Sequence, residues 1–433
     1  MKKIFPNNKI EIILCGAILV FSFYLRWQGA VNVPIAPDEP IKFEFAQHIN
    51  FNPGQFNLPL GDTKTHNGPL LPYLIKAAIM AEGDLLLSAR LLSVIFSILT
   101  LLFLYLLVKE SLDQETALFS LLLLAVSQLH IGFTRIVDEN GFLIFFVVMT
   151  LFFIQKALRN GQGYFVLLSG LMMGLGGLVK GTMFTMLPGL LLHLLINKKD
   201  PYPFSTRKIC LFLLVVGLTV FPSVYWDMVH EYTDFNYHAD KADFFFFSFI
   251  PLALFLGEII VFCLRNIDDA TLMQLVSYEY PFCNWLMGLI CLTGATCFIN
   301  REKNEFINLL RWIFGFIFIF FSLVKARSGG GANFHLDNFW WAIVAVIPGV
   351  ILGAAWLLDM SRRYTPVKYV IIPAILFYLT VNSLNFVYFP ALCAVPRRSL
   401  KLFELNRTAQ SYMDKNLPDK TLKIQEYIRQ HYR

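Results

Sequence analysis

Eleven apolar runs separated by short polar punctuation constrain this chain more than any other feature. They lie near residues 10–27, 88–108, 117–133, 141–158, 164–179, 182–196, 209–226, 282–299, 312–324, 339–358 and 369–390, and the run 244–264 is apolar enough to be a twelfth. A bilayer core about 30 Å thick is crossed by roughly 20 helical residues, so these runs predict an all-α polytopic membrane protein of about 11–12 transmembrane helices. Only 15% of residues are charged, against roughly 25% in a soluble domain, which excludes a cytosolic enzyme or a disordered scaffold. The formal net charge of +6 is the excess expected of anchoring residues, and nothing in it calls for nucleic acid. Seven cysteines, most of them inside apolar runs, form neither a disulfide framework nor a metal motif.

Orientation follows from the basic residues. Residues 1–26 carry Lys2, Lys3 and Lys9 ahead of an apolar stretch without a cleavage site, and read as a retained first span with a cytoplasmic N-terminus. Lys109, Lys156, Arg159, Lys198, Lys199, Arg207 and Lys208 then fall in cytoplasmic connections, while the short outer turns carry little beyond Arg135 and Lys180. In the back half two arrangements nearly tie. The one adopted leaves 244–264 as a re-entrant or interfacial helix, puts Arg362, Arg363 and Lys368 inside, and puts the tail from Arg397 outside. The expected organisation is a transmembrane module over 1–390, with outer loops 28–88, 227–281 and 325–338, and a short outer tail over 391–433.

Chemistry then belongs to the outer loops. Asp38 and Glu39 follow the first span; on an extended backbone adjacent side chains point oppositely, so one can serve a cavity while the other is held by structure, and an ordinary solvated turn is the alternative. The same loop carries Lys64, His66 and Asn67, then Gly68 to Tyr73. Thr134 to Asn140 joins two spans, where Arg135 and Asp138 either cap and pair or face a site. Gly174, Gly176 and Gly177 allow close helix packing just before Lys180. His230, Asp234 and His238 would share one face of a helix, a weak metal signal, and Lys325 and Arg327 precede the Gly329–Gly331 turn.

In order along the chain, these elements resemble those of the GT-C membrane glycosyltransferases, in particular the bacterial branch related to protein O-mannosyltransferases and the aminoarabinose transferase of lipid A. The matching elements are Asp38-Glu39, Gly68 to Tyr73, Ser88-Ala89-Arg90-Leu91-Leu92, Thr134-Arg135 with Asp138, and Leu178-Val179-Lys180-Gly181. The likeness covers residues 10–225 well and the back half only in outline, and His66-Asn67-Gly68-Pro69-Leu70 departs from the common His-Pro-Pro-Leu pattern. Ser411 to Asp419 is similar to the start of an outer domain in such proteins.

The resemblance implies a hexosyl- or pentosyltransferase of a bacterial inner membrane, moving a sugar from a polyprenyl-phosphate carrier to a lipid, glycan or protein hydroxyl on the periplasmic face, with inversion. Asp38, Glu39 and Asp138 would be catalytic, with Asp38 the base. Lys64, Arg135, Lys180, Lys325 and Arg327 would hold the donor phosphate, and His66, Asn67 and Tyr73 would line the substrate pocket. No cofactor is required, and a divalent metal at His230, Asp234 and His238 is a side expectation. The competing reading is a transporter or lipid flippase, which would set ionisable groups near the midplane of broken helices.

Overall fold

The computed structural model describes residues 8–32, 39–50, 68–82, 85–196, 205–229, 242–244, 284–297, 304–326 and 343–388. Its helices are α1 (Asn8–Asn32), α2 (Glu39–His48), α3 (Leu70–Glu82), α4 (Leu85–Ser111), α5 (Gln114–Ala125), α6 (Gln128–Thr134), α7 (Glu139–Asn160), α8 (Gly163–Val179), α9 (Met186–Ile196), α10 (Thr206–Val229), α11 (Trp285–Thr296), α12 (Glu305–Leu323), α13 (Val346–Arg363) and α14 (Ile372–Tyr388). The chain is an all-α polytopic membrane protein. Among the described residues six helices are long and apolar enough to cross a bilayer, or seven if α5 and α6 count as one bent span. Shorter apolar helices, including Gly163–Val179, Gly181–Ile196 and Leu286–Thr296, fall where further spans were expected.

Three elements differ from the sequence reading. The run 117–133 is broken by 60° into α5 and α6, because Ser127 starts a new helix by accepting the His130 N–H (3.4 Å). The outer loop 28–88, expected to be more than a connection, contains two helices that the sequence reading did not place, α2 and α3, and Leu71 and Ile75, spaced for one helix face, are buried. The run expected over 312–324 begins seven residues early as α12. Asn304 caps it by accepting the Phe306 N–H (2.9 Å), and Arg311 is absorbed by donating to the Cys297 carbonyl (2.9 Å).

Polar contacts sort the helix ends onto two rims. On one rim Lys109 pairs with Glu11 (2.7 Å), Lys156 with Glu110 (2.7 Å) and Arg362 with Glu115 (2.9 Å). There too Lys208 donates to the Gly161 carbonyl (2.7 Å) and Asn304 to the Ser111 carbonyl (3.2 Å). Because α10 and α12 start on this rim, both end on the other. There β2 (Val324–Ala326) directly follows α12 and pairs antiparallel with β1 (Ala242–Phe244), Asp243 opposite Lys325. Cys297, at the end of α11, lies beside α12 near the lysine-bearing rim, so α11 starts towards the opposite one. The chain thus leaves α10 and enters α11 on the same side. Residues 245–264 themselves lie outside the described residues, as do 391–433.

Close packing relies on missing side chains at chosen points. A Cβ on Gly174 of α8 would approach Thr219 Cβ of α10 to 2.5 Å, and one on Gly68 would meet the Leu178 carbonyl oxygen at 1.9 Å. The second clash explains the glycine of the Gly68–Tyr73 segment: it lets the entry to α3 lie against the end of α8, two residues from Lys180.

The break between α5 and α6 is held by Arg26, an interior charge of α1 that is fully buried. Its guanidinium donates to the carbonyls of Ala125 (3.1 Å) and Leu124 (3.4 Å) at the end of α5, to Ser97 on α4, to Ser22, and to His130 Nδ1 (2.7 Å) on α6. Ser383 of α14 closes the gap by donating to the Val126 carbonyl. Replacing Arg26 by Met should strand the α5 carbonyls and cost about 1–3 kcal/mol for each one left unpaired. Thermal unfolding in detergent would register this as a marked fall in midpoint, partly restored in Arg26→Lys.

Candidate active site

On the rim opposite the basic one, the turn between α6 and α7 gathers most of the described residues singled out from sequence. Asp138 is the N-cap of α7, accepting the Asn140 N–H (2.8 Å), and is 2% exposed. Arg135 follows α6. Its guanidinium lies over the Phe386 ring of α14 (4.0 Å to the centroid) and donates to the Phe386 carbonyl (3.4 Å). Gly29 of α1 makes room for it, since a Cβ there would stand 3.3 Å from the Arg135 side chain. Lys180, at the end of α8, donates to Asn140 Oδ1 (2.9 Å) and remains partly accessible.

Glu39 opens α2 and is fully buried. Its Oε1 accepts from Arg90 Nε (3.0 Å) and from the Val137 N–H (2.9 Å), and its Oε2 from Arg90 NH2 (2.7 Å). Arg90 also donates to the Ala30 carbonyl at the end of α1 (2.7 Å). The bidentate geometry is the strong form of this pair, and it ties α1, α2, α4 and the α6–α7 turn into one unit. Glu39 is thus held by structure.

The principal residue that sequence reasoning missed is Lys42, one turn along α2 and 4% exposed. Its ammonium donates to the Val137 carbonyl (2.9 Å) and lies 3.1 Å from Glu139 Oε2 and 3.7 Å from Asp138 Oδ2. The available signal was Lys42 three residues after Glu39, a spacing that sets both on one side of a short helix beside the acidic pair. Glu139 and Asn140 were read as part of the junction but without a role, and Arg90 only as a motif residue.

Tyr73, on the first turn of α3, is half-buried. Lys325 lies on β2, at the same rim. Asp38, Lys64, His66, Asn67, Arg327, His230, Asp234 and His238 lie outside the described residues; Asp38 immediately precedes the buried Glu39. Chemically the rim presents buried carboxylates at Glu39, Asp138 and Glu139, and four cations at Lys42, Arg90, Arg135 and Lys180.

Residues 66–226, which contain Arg90, Arg135, Asp138 and Lys180, match the family model described as dolichyl-phosphate-mannose-protein mannosyltransferase. The chain has the GT-C fold. Among solved structures it is similar to the oligosaccharyltransferase AglB of Archaeoglobus fulgidus in complex with an inhibitory peptide and a dolichol-phosphate (TM-score 0.54, 16% identity, covering 96% of this chain and 59% of that one). It is likewise similar to ArnT of Cupriavidus metallidurans bound to undecaprenyl phosphate (TM-score 0.54, 16% identity, covering 92% of this chain and 74% of that one). The chain spans less than two thirds of the archaeal protein's length. Among curated proteins no sequence matches it.

The Glu39–Arg90 pair makes a clean double-mutant cycle. Arg90→Met alone should cost about 3–5 kcal/mol by leaving a buried carboxylate uncompensated. Adding Glu39→Gln should return much of that loss, as read from unfolding midpoints of the purified protein.

Proposed function

We propose that this chain is an integral-membrane glycosyltransferase that moves a sugar from a polyprenyl-phosphate carrier to a hydroxyl acceptor, which is a lipid, glycan or protein. The observation that carries this reading is the convergence of Arg135, Asp138 and Lys180 on one membrane rim, within the segment that matches the mannosyltransferase model. Lysine and arginine at membrane level are costly unless they serve a ligand or a partner, and a lipid-linked phosphate is a ligand that reaches this depth.

A polyprenyl phosphate departs as a stable anion and needs no proton from the protein, so the chemistry asks for one base and fixed cations. In this reading Asp38 takes the proton of the acceptor hydroxyl as its oxygen attacks the anomeric carbon. The bond to the phosphate oxygen breaks on the opposite face, which inverts the configuration. Lys180 and Arg135 steady the departing phosphate, with Lys64, Lys325 and Arg327 contributing from neighbouring segments. Asp138 shapes the sugar pocket together with His66, Asn67 and Tyr73, while Glu39 positions the start of α2 and with it Asp38. No cofactor takes part.

The basic rim of Lys109, Lys156, Arg159, Lys208, Arg362 and Arg363 belongs in the cytoplasm by the positive-inside rule, which turns the site to the outer face of a bacterial inner membrane. The end of α14 lies beside Arg135, on the rim of the site, which supports the reading of an outer tail. One feature favours the transporter reading, namely a charge at a broken helix, Arg26 between α5 and α6. Its donors are taken up by carbonyls, serines and His130, which fits a static cap better than a conduction path.

With a polyprenyl-phosphate sugar and a hydroxyl acceptor, Asp38→Asn should lower kcat by about 10²–10⁴-fold with the protein still folded. Equal turnover would remove Asp38 from the base role. Lys180→Ala and Arg135→Ala should each weaken donor binding by about 10- to 100-fold, the worth of one charge-assisted hydrogen bond. Unchanged lipid affinity in both would leave them structural.

A further inference from the structure

Asp138 and Glu139 are adjacent, both buried, and both at the start of α7, where the second carboxylate adds to the cost of burying the first. The ammonium of Lys42 sits against both of them and the Val137 carbonyl oxygen, at 3.7, 3.1 and 2.9 Å. Two carboxylates and a backbone carbonyl around one point are the kind of oxygen donors that a hard divalent cation such as calcium gathers, as part of a shell of about six to eight oxygens. Here the point is filled from within the chain.

We propose that Lys42 is the resident cation of the α6–α7 junction, occupying the seat that a divalent ion would otherwise take between Asp138 and Glu139. The arrangement makes Lys42 a positioning residue. Through Val137 and Asp138 it fixes the first turn of α7, and hence Asn140, the partner of Lys180. The other charged groups near this point are Lys180, which reaches Asn140, and the Glu39–Arg90 pair, whose carboxylate holds the Val137 N–H while Lys42 holds the carbonyl of the same residue. The junction is therefore gripped by α2 at both the N–H and the C=O of one residue, Val137, and its negative charge is answered without an exchangeable ion.

The claim concerns how the junction is held, so its test needs no sugar transfer and stands or falls apart from the proposed activity. Thermal unfolding of the full chain in detergent is measured in millimolar calcium chloride and in EDTA. Wild type should melt at the same temperature in both. Lys42→Met should melt several degrees lower in EDTA and recover in calcium. Lys42→Met/Glu139→Gln should recover in EDTA and be indifferent to calcium. If the single variant is too unstable to purify, the double variant carries the test: recovered yield and wild-type-like melting support the charge role. A wild type that gains stability from calcium would overturn the proposal. So would a Lys42→Met that melts as wild type, a single variant blind to calcium, or a double variant no more stable than the single one, which would reduce Lys42 to packing and its bond to Val137.

Discussion

A helix that breaks inside a bilayer frees carbonyls that no water can reach, and the protein has to answer them from another helix. Arg26 does this at the end of α5, and much of the fold is arranged around that obligation. Its guanidinium draws α1, α4, α5 and α6 to one point. It also lets α6 set off at 60° from α5, so that the seven residues of α6 deliver Arg135 to the rim instead of continuing a straight span. With a straight helix over 117–133, Arg135 and Asp138 would lie elsewhere relative to α2 and α8.

At the rim the same rule operates with charges in place of carbonyls. Each buried acid there has a cation of its own: Glu39 has Arg90, while Asp138 and Glu139 share Lys42. These pairs hold the short helix α2 against the α6–α7 turn. Beside them Lys180 is held by Asn140 and Arg135 by Phe386, each at the end of its helix.

Much of this was legible in the sequence because hydropathy is a local property. The spans of α1, α4, α7, α8, α10 and α14 follow from run length alone. The junction Thr134–Asn140 and Lys180 stood out because charge is rare in such a chain, so any charge near a span end is informative. Lys42 and Arg26 were not legible in the same way. Lys42 looked like one more loop lysine, since α2 is a short polar helix with little hydropathy signal. Arg26 looked like an ordinary residue at the end of a span, whereas α1 runs six residues further and carries it inside. The break at 126–127 was hidden because both halves are apolar and only Ser127 marks it.

The sequence by itself determined that the chain lives in a membrane, about where its helices run, and which side of each is basic, because bilayer thickness and the cost of buried charge act on every segment separately. Only the tertiary structure decided which carboxylate of Asp38-Glu39 is committed to Arg90, that Lys42 stands between Asp138 and Glu139, and that α10 ends on the rim where α11 begins. The charge pairings among them join Glu39 to Arg90, 51 positions apart, and Lys42 to the junction at Val137, 95 positions apart. No local pattern encodes a partner at that distance, and it is the partner, supplied by helix packing, that makes a buried charge affordable.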